Sequence, residues 1–206
     1  YGEKPSDGLV RGHHFVHPRL GIAFEAPEDM SLDNTARAVL GATPDGRTRL
    51  LFDAIRNSDD DPLGAYLRDS WSDRLDPDSE RMAEIGGRPV ALAASKAEGW
   101  TFRLAATRVG DTTYRLVVAG RDRSTADLDA RRDHLLSSLR VLTPDEAAAI
   151  RPLRVAEVVA QPGDTAGSLA ARMGGERALD RFLLLNGFDA AEPLVPGETY
   201  KLAVAD

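Results

Sequence analysis

The sequence predicts an α+β fold: a mainly antiparallel sheet with two packed helices, followed by a small β-α-α-β domain. Three observations carry this. Short strand candidates are separated by hairpin-sized turns. Two segments carry an apolar stripe at helical spacing. After Pro152 the pattern restarts as strand, helix, helix, strand within about 50 residues.

The strands come first. Gly12–His17 ends at Pro18, and Gly21–Glu25 alternates Ile22 and Phe24 with Ala23 and Glu25. Ala36–Ala42 and Thr48–Ala54 flank Thr43-Pro44-Asp45-Gly46-Arg47. Asp-Gly between apolar runs is a hairpin signal, because Gly accepts the positive φ of the turn. Arg88–Ala97, Trp100–Val109 and Thr112–Gly120 follow, with turns at Glu98-Gly99 and Gly110-Asp111. Pro62–Leu75 reads as a helix capped by Asp61, with Leu63, Tyr66, Leu67 and Trp71 on one stripe. Ser124–Leu139 reads as a second helix, capped by Ser124 or Thr125 and burying Leu128, Leu135, Leu136 and Leu139. Helices must bury such stripes, and a chain of hairpins offers them an antiparallel sheet.

The boundaries expected are a tail over 1–10, an α+β domain over 11–142, a linker helix over 143–152, and the small domain over 153–206. In the last, Pro162-Gly163 turns out of the strand Leu153–Val159, and Asp164 caps a helix running to Met173. Asn186-Gly187 ends the next helix, Glu176–Leu185, and Pro196-Gly197 leads into the strand Thr199–Val204.

Composition narrows function. The 206 residues are 42% hydrophobic, enough for a core, and carry a net charge of −7, which disfavours a protein that tracks a nucleic-acid backbone. No apolar run approaches the ~18 residues of a transmembrane helix. Zero Cys excludes disulfides, a thiol nucleophile and a Cys-ligated metal. The chain opens at Tyr1, not Met, with no signal peptide in view, and is expected to be a piece of a longer protein.

Catalytic constellations fail one by one. His13 and His14 point to opposite faces of a strand, and His13 and His17 sit ~13 Å apart, too far for one ion. Asp59-Asp60-Asp61 lacks the Gly and final Glu of a calcium loop. No HExxH, G-x-S-x-G, Walker loop or G-x-G-x-x-G after a strand occurs. His134 reads as a surface residue, and Trp71 and Trp100 as core. The catalytic and metal sets are therefore expected to be empty.

The segments VVAQPGDTAGSLAARM, DRFLLLNGF and EPLVPGETYKLAV, in that order over some 45–50 residues, resemble a LysM module. The resemblance implies binding of an N-acetylglucosamine glycan such as peptidoglycan, with Gly163, Asp164, Thr165, Asn186, Gly187 and Phe188 lining the groove. Ala166 and the inter-helix stretch MGGERALDRF depart from the family pattern. Because each signature residue also has a capping or turning job, a purely structural module is the alternative.

The segment GLVRGHHFVHPRLGIAFEAPEDMSLDNTARAVLGATPDG resembles the region after the catalytic domain in periplasmic Ste24-type/HtpX-type zinc metallopeptidases, and its opening is similar to PsbP-like sheets. The resemblance implies a non-catalytic C-terminal region in the periplasm or cell envelope. That region would place the protease at the wall or handle substrate. It carries no cofactor itself; zinc is expected in the parent's upstream catalytic domain, which is then also a partner. A stand-alone envelope glycan-binding protein is the competing reading.

Overall fold

The computed structural model describes residues 8–56, 62–71, 74–151, 153–174, 177–189 and 192–205. These residues form two compact units, 8–148 and 149–205.

The first unit is built on a seven-stranded antiparallel sheet. Its strands are β4 (Ser31–Asn34), β5 (Val39–Ala42), β6 (Thr48–Arg56), β7 (Arg81–Ile85), β8 (Arg88–Ala97), β9 (Trp100–Val109) and β10 (Thr112–Gly120), in the order β4-β5-β6-β10-β9-β8-β7. The chain runs inward from one edge to β6, reappears at the far edge as β7, and returns through hairpins to pair β10 with β6. The Asp45-Gly46 turn forms as its chemistry dictates. Gly46 has φ 67°, and Asp45 accepts from the Thr43 hydroxyl at 2.6 Å and the Arg47 N–H at 3.0 Å.

A smaller antiparallel sheet has the order β1-β2-β3-β11, from β1 (Leu9–Arg11), β2 (His14–His17), β3 (Ile22–Glu25) and β11 (Arg140–Val141). Helix α2 (Thr125–Ser138) packs against β3 and against β7, β9 and β10. Ser124 caps it by accepting from the Asp127 N–H, and Leu128, Leu135, Leu136 and Leu139 are all at most 2% exposed. Burial of each leucine contributes roughly 1.5–3 kcal/mol. Through this core runs a row of rings, Phe15–Phe24–Phe52–Tyr114, with successive centroids 5.0, 4.7 and 5.5 Å apart. Burial pushes the Tyr114 phenol up, opposed by its hydrogen bond with Thr112.

The other face of the large sheet receives α1 (Leu63–Trp71), which packs on β8 and β9 through Leu63, Tyr66 and Leu67 against Ala91, Ala93, Leu104 and Ala106. Only about half of that face is covered this way, because β5, β6 and β10 have no helix on it among the described residues.

Several expectations need correction. The tail over 1–10 ends sooner, since Leu9 and Val10 already pair with β2. Strands β1, β4, β7 and β11 are additional to those expected. Helix α1 is described over Leu63–Trp71, and Leu75, its expected end, forms a bridge with Ser95 instead. Trp100 is not core: it is half-buried, with the Arg49 and Arg121 guanidinium carbons 5.2 and 5.1 Å from its ring centroid. Register explains this, because Trp100 lies on the face α1 leaves open. The Asp61 cap and the Asp59–Asp61 loop lie outside the described residues, as does the Trp71 side chain.

The linker forms α3 (Pro144–Ala149), with a capping box in which Thr143 accepts from the Glu146 N–H and Glu146 from the Thr143 N–H. The second unit then runs β12 (Leu153–Val159), α4 (Ala166–Ala171), α5 (Ala178–Asn186) and β13 (Thr199–Ala205). β12 and β13 pair antiparallel over seven residues, from Leu153↔Ala205 to Val159↔Thr199. Leu169, Ala170, Phe182, Tyr200 and Leu202 fill the core between sheet and helices.

Candidate functional site

The residues around Gly163 and around Asn186 leave two different elements. After β12, the turn 161–164 closes on itself: the Asp164 N–H donates to Gln161 O at 3.0 Å, and the Gln161 N–H donates to Asp164 Oδ2 at 2.8 Å. Gly163 sits in this turn at φ 93°, open to solvent. The helix cap is Thr165, not Asp164 as expected. Thr165 Oγ1 accepts from the Ser168 N–H at 3.1 Å, and Ser168 Oγ accepts from the Thr165 N–H at 2.9 Å. Asp164 lies one residue too early, and its carboxylate is used in the turn before the helix.

At the end of α5, Gly187 adopts the left-handed conformation at φ 68°, as the Asn-Gly pair predicts. The Phe188 N–H then donates to Leu183 O at 2.9 Å. The half-buried Phe188 ring packs on Tyr200, centroids 5.5 Å apart. Asn186 turns inward and exchanges two hydrogen bonds with the backbone of Lys201 on β13.

Register relates the two segments. Asn186 is tied to Lys201, which pairs with Glu157, only two residues from the Val159↔Thr199 pair that opens into the Gly163 turn. At about 3.4 Å per residue, both segments lie toward one end of the β12–β13 strand pair. Of the six residues read from sequence, Gly163, Thr165 and Gly187 are exposed and Phe188 half-buried. Asp164 accepts from the Gln161 N–H and the Ser168 hydroxyl, and Asn186 spends its amide on backbone groups.

Three histidines of the first unit have structural partners. His13 lies in the turn before β2 and not on the strand, and its ring packs on His14, centroids 4.2 Å apart, where opposite faces were expected. His14 faces Glu25 across the β2–β3 pair, Nδ1 to Oε1 3.4 Å, and His17 Nδ1 accepts from the Leu20 N–H at 3.2 Å in the hairpin turn. His134 is exposed. Among the described residues no group of three His, Asp or Glu side chains is placed to hold a metal ion. Among them also, no helix is long and apolar enough to cross a membrane.

Sequence reasoning missed two concavities of the first unit. One, of about 440 Å³, has Phe15, Phe52 and Tyr114 on its wall and His17, Arg19 and Arg37 around it. The other, of about 600 Å³, lies on the open face of the large sheet and is lined mainly by apolar side chains. Neither leaves a local sequence signature, because each is assembled from strands distant in the chain.

No family model matches the sequence, and no curated protein matches it. Among solved structures, the chain is similar to a crystal structure from Bacteroides thetaiotaomicron, with a TM-score of 0.50 and 16% identity. That match covers 74% of this chain and 55% of the neighbour, so the chain spans little more than half of that protein's length. It is also similar to the solution structure of cyanobacterial PsbP (CyanoP) from Synechocystis sp., with a TM-score of 0.48, 9% identity, and 65% and 95% coverage of the two chains. At such identities the likeness to the Bacteroides protein concerns the fold alone. The class of protein is accordingly an α+β protein with mainly antiparallel sheets.

Proposed function

We propose that the chain is the non-catalytic C-terminal region of a periplasmic zinc metallopeptidase. Its second unit, a LysM-like module, holds the enzyme to peptidoglycan or another N-acetylglucosamine glycan. The first unit, a PsbP-like sheet, is the spacer and substrate-handling part. This reading rests on one observation. The Gly163–Thr165 segment and the Gly187-Phe188 cap share one end of a β-α-α-β unit, and the LysM resemblance puts its groove between those segments. In this reading Gly163, Thr165, Gly187 and Phe188 meet the sugar, while Asp164 and Asn186 hold the two segments in shape. Exposed backbone beside a half-buried ring suits an uncharged sugar, which presents C–H faces to aromatics and hydroxyls to backbone groups.

Zinc belongs to the upstream catalytic domain. The residues present here do not fit it, since no HExxH occurs and, among the described residues, no group of three His, Asp or Glu side chains is placed to hold a metal ion. No catalytic step runs through this chain.

Co-sedimentation with insoluble peptidoglycan tests the binding role. The full chain is expected in the pellet, and soluble N-acetylglucosamine oligomers are expected to release it. A chain that stays in the supernatant overturns glycan binding. An HExxH helix encoded in frame upstream of Tyr1 supports the peptidase assignment. Its absence, with binding retained, moves the reading to a stand-alone envelope glycan-binding protein.

A further inference from the structure

We propose that the open face of the seven-stranded sheet is a binding groove for a linear alkyl chain carrying an anionic headgroup. The site lies in the first unit and is independent of the glycan reading.

Register defines its floor. Ala42, Arg49, Ala119 and Phe102 stand side by side across β5, β6, β10 and β9, and Leu40, Leu51, Val117 and Leu104 form the next row. Leu40 is 40% exposed, and Leu51, Val117 and Phe102 are half-buried. The concavity over them measures about 600 Å³, within the roughly 300–1,000 Å³ of small-molecule sites.

The two ends of this face differ in charge. Beyond the lining residues on the same face, Asp53 and Arg115 neutralise each other, with Nε to Oδ1 at 2.9 Å and Nη2 to Oδ2 at 2.5 Å. At the other end Trp100 lies between Arg49 and Arg121. Among the described residues neither of those arginines forms an ion pair; the Arg121 guanidinium donates to Glu98 O at 3.4 Å. Both are exposed. The ring holds their charge without neutralising it, so the guanidinium edges remain donors for a carboxylate or phosphate. Asp33 on the β4 edge is an exposed acid on this face, beside Leu40. The lining residues run across the strands from Asp33 on β4 to Phe102 on β9, four strand spacings or about 19 Å.

The occupant is an alkyl chain rather than a peptide. β6, β10 and β9 are internal strands whose N–H and C=O groups are consumed by their ladders. A peptide laid over them would bury backbone groups without partners, which is costly, whereas an alkyl chain has none to satisfy.

Calorimetric titration of the full chain with decanoate and decyl phosphate, with decanol and decyltrimethylammonium as controls, tests this. Both anions are expected to bind about tenfold more tightly than decanol, and the cation more weakly still. Decanoate alone binding points to a free fatty acid, and decyl phosphate alone to a phospholipid headgroup; either supports the site. The Arg49→Gln/Arg121→Gln variant should bring the anions to the level of decanol, and Leu40→Glu should weaken all four. Circular dichroism confirms that each variant is folded. Equal binding of all four probes, no binding of either anion, or unchanged anion affinity in both variants overturns the proposal. Concentration-dependent dimerisation abolished by Leu40→Glu would overturn it in favour of a second copy on this face.

Discussion

Asn186 and Lys201 exchange two hydrogen bonds: the Asn186 Nδ2 donates to Lys201 O at 2.9 Å, and the Lys201 N–H donates to Asn186 Oδ1 at 2.7 Å. A side-chain amide thus imitates a neighbouring strand and ties the end of α5 to β13. The same Nδ2 also donates to Phe182 O at 2.9 Å. Asn186→Ala removes all three bonds. The expected cost is about 1–2 kcal/mol, read from urea unfolding, because solvent reaches part of the vacated backbone. Asn186→Asp, which sets a carboxylate oxygen against two carbonyl oxygens at the C-terminus of α5, should cost at least as much. An alanine variant as stable as the parent would show that the pair holds nothing.

Asp129 sits between two arginines, with Arg132 Nη1 at 2.6 Å and Arg103 Nε at 3.0 Å. The Arg132 side chain is only 3% exposed, with Asp133 as its other partner. Asp129→Ala leaves a buried cation half-paired, at an expected cost of about 2–3 kcal/mol. Asp133→Ala, which leaves the Asp129 bonds in place, should cost less. Denaturant midpoints of the two variants give the comparison.

Gly86 and Gly87 form the β7–β8 turn, both left-handed, with φ 60° and 72°. A Cβ on Gly86 would lie 3.0 Å from Leu136 O and 3.1 Å from Ser137 Cα, whereas one on Gly87 meets nothing within 4 Å. Gly87→Ala should therefore cost only the backbone strain, about 1–2 kcal/mol. Gly86→Ala should cost more, because the backbone of α2 must shift as well. Thermal unfolding of the two single variants separates strain from clash.

Arg131 grips Asp29 through two hydrogen bonds of 2.7 and 2.8 Å, and this holds the Asp29 carboxyl below its ordinary value of 3.8. A lowered folded-state pKa contributes stability that is present above the unfolded value and lost as pH falls through the folded one. Asp29→Asn should therefore be less stable than the parent at neutral pH, with the gap closing as pH drops below 3.8. Asp29 is half exposed, so screening keeps the effect small. Urea midpoints of both proteins at neutral and strongly acidic pH provide the check. A gap that does not change with pH would remove the titration from the account.

Much of this architecture is legible in the chain. Asp45-Gly46, Glu98-Gly99 and Gly110-Asp111 each need a positive φ at the turn, and each stands in a hairpin of the large sheet. The leucines at 128, 135, 136 and 139 share one face of a helix whatever lies opposite. The order strand, helix, helix, strand after Pro152 follows from turn dipeptides alone. Other elements are not legible for definite reasons. β4 (SLDN) and β7 (RMAEI) are edge strands with little burial, so neither carries the alternation that marks a half-buried strand.

Local chemistry therefore decides turns, caps and stripes, because each depends on neighbours within about four residues. Tertiary pairing decides the rest. Arg49, Trp100 and Arg121 come from three places in the chain, and only the β6-β10-β9 register stacks them. The open face exists because α1 settles on β8 and β9, and among the described residues no helix packs on that face of β5, β6 and β10. Thr165 displaces Asp164 as the cap because the turn before α4 takes one residue more than its sequence shows. Strand order and helix placement follow from the sum of long-range burial over a whole sheet, a quantity that no short window of sequence contains.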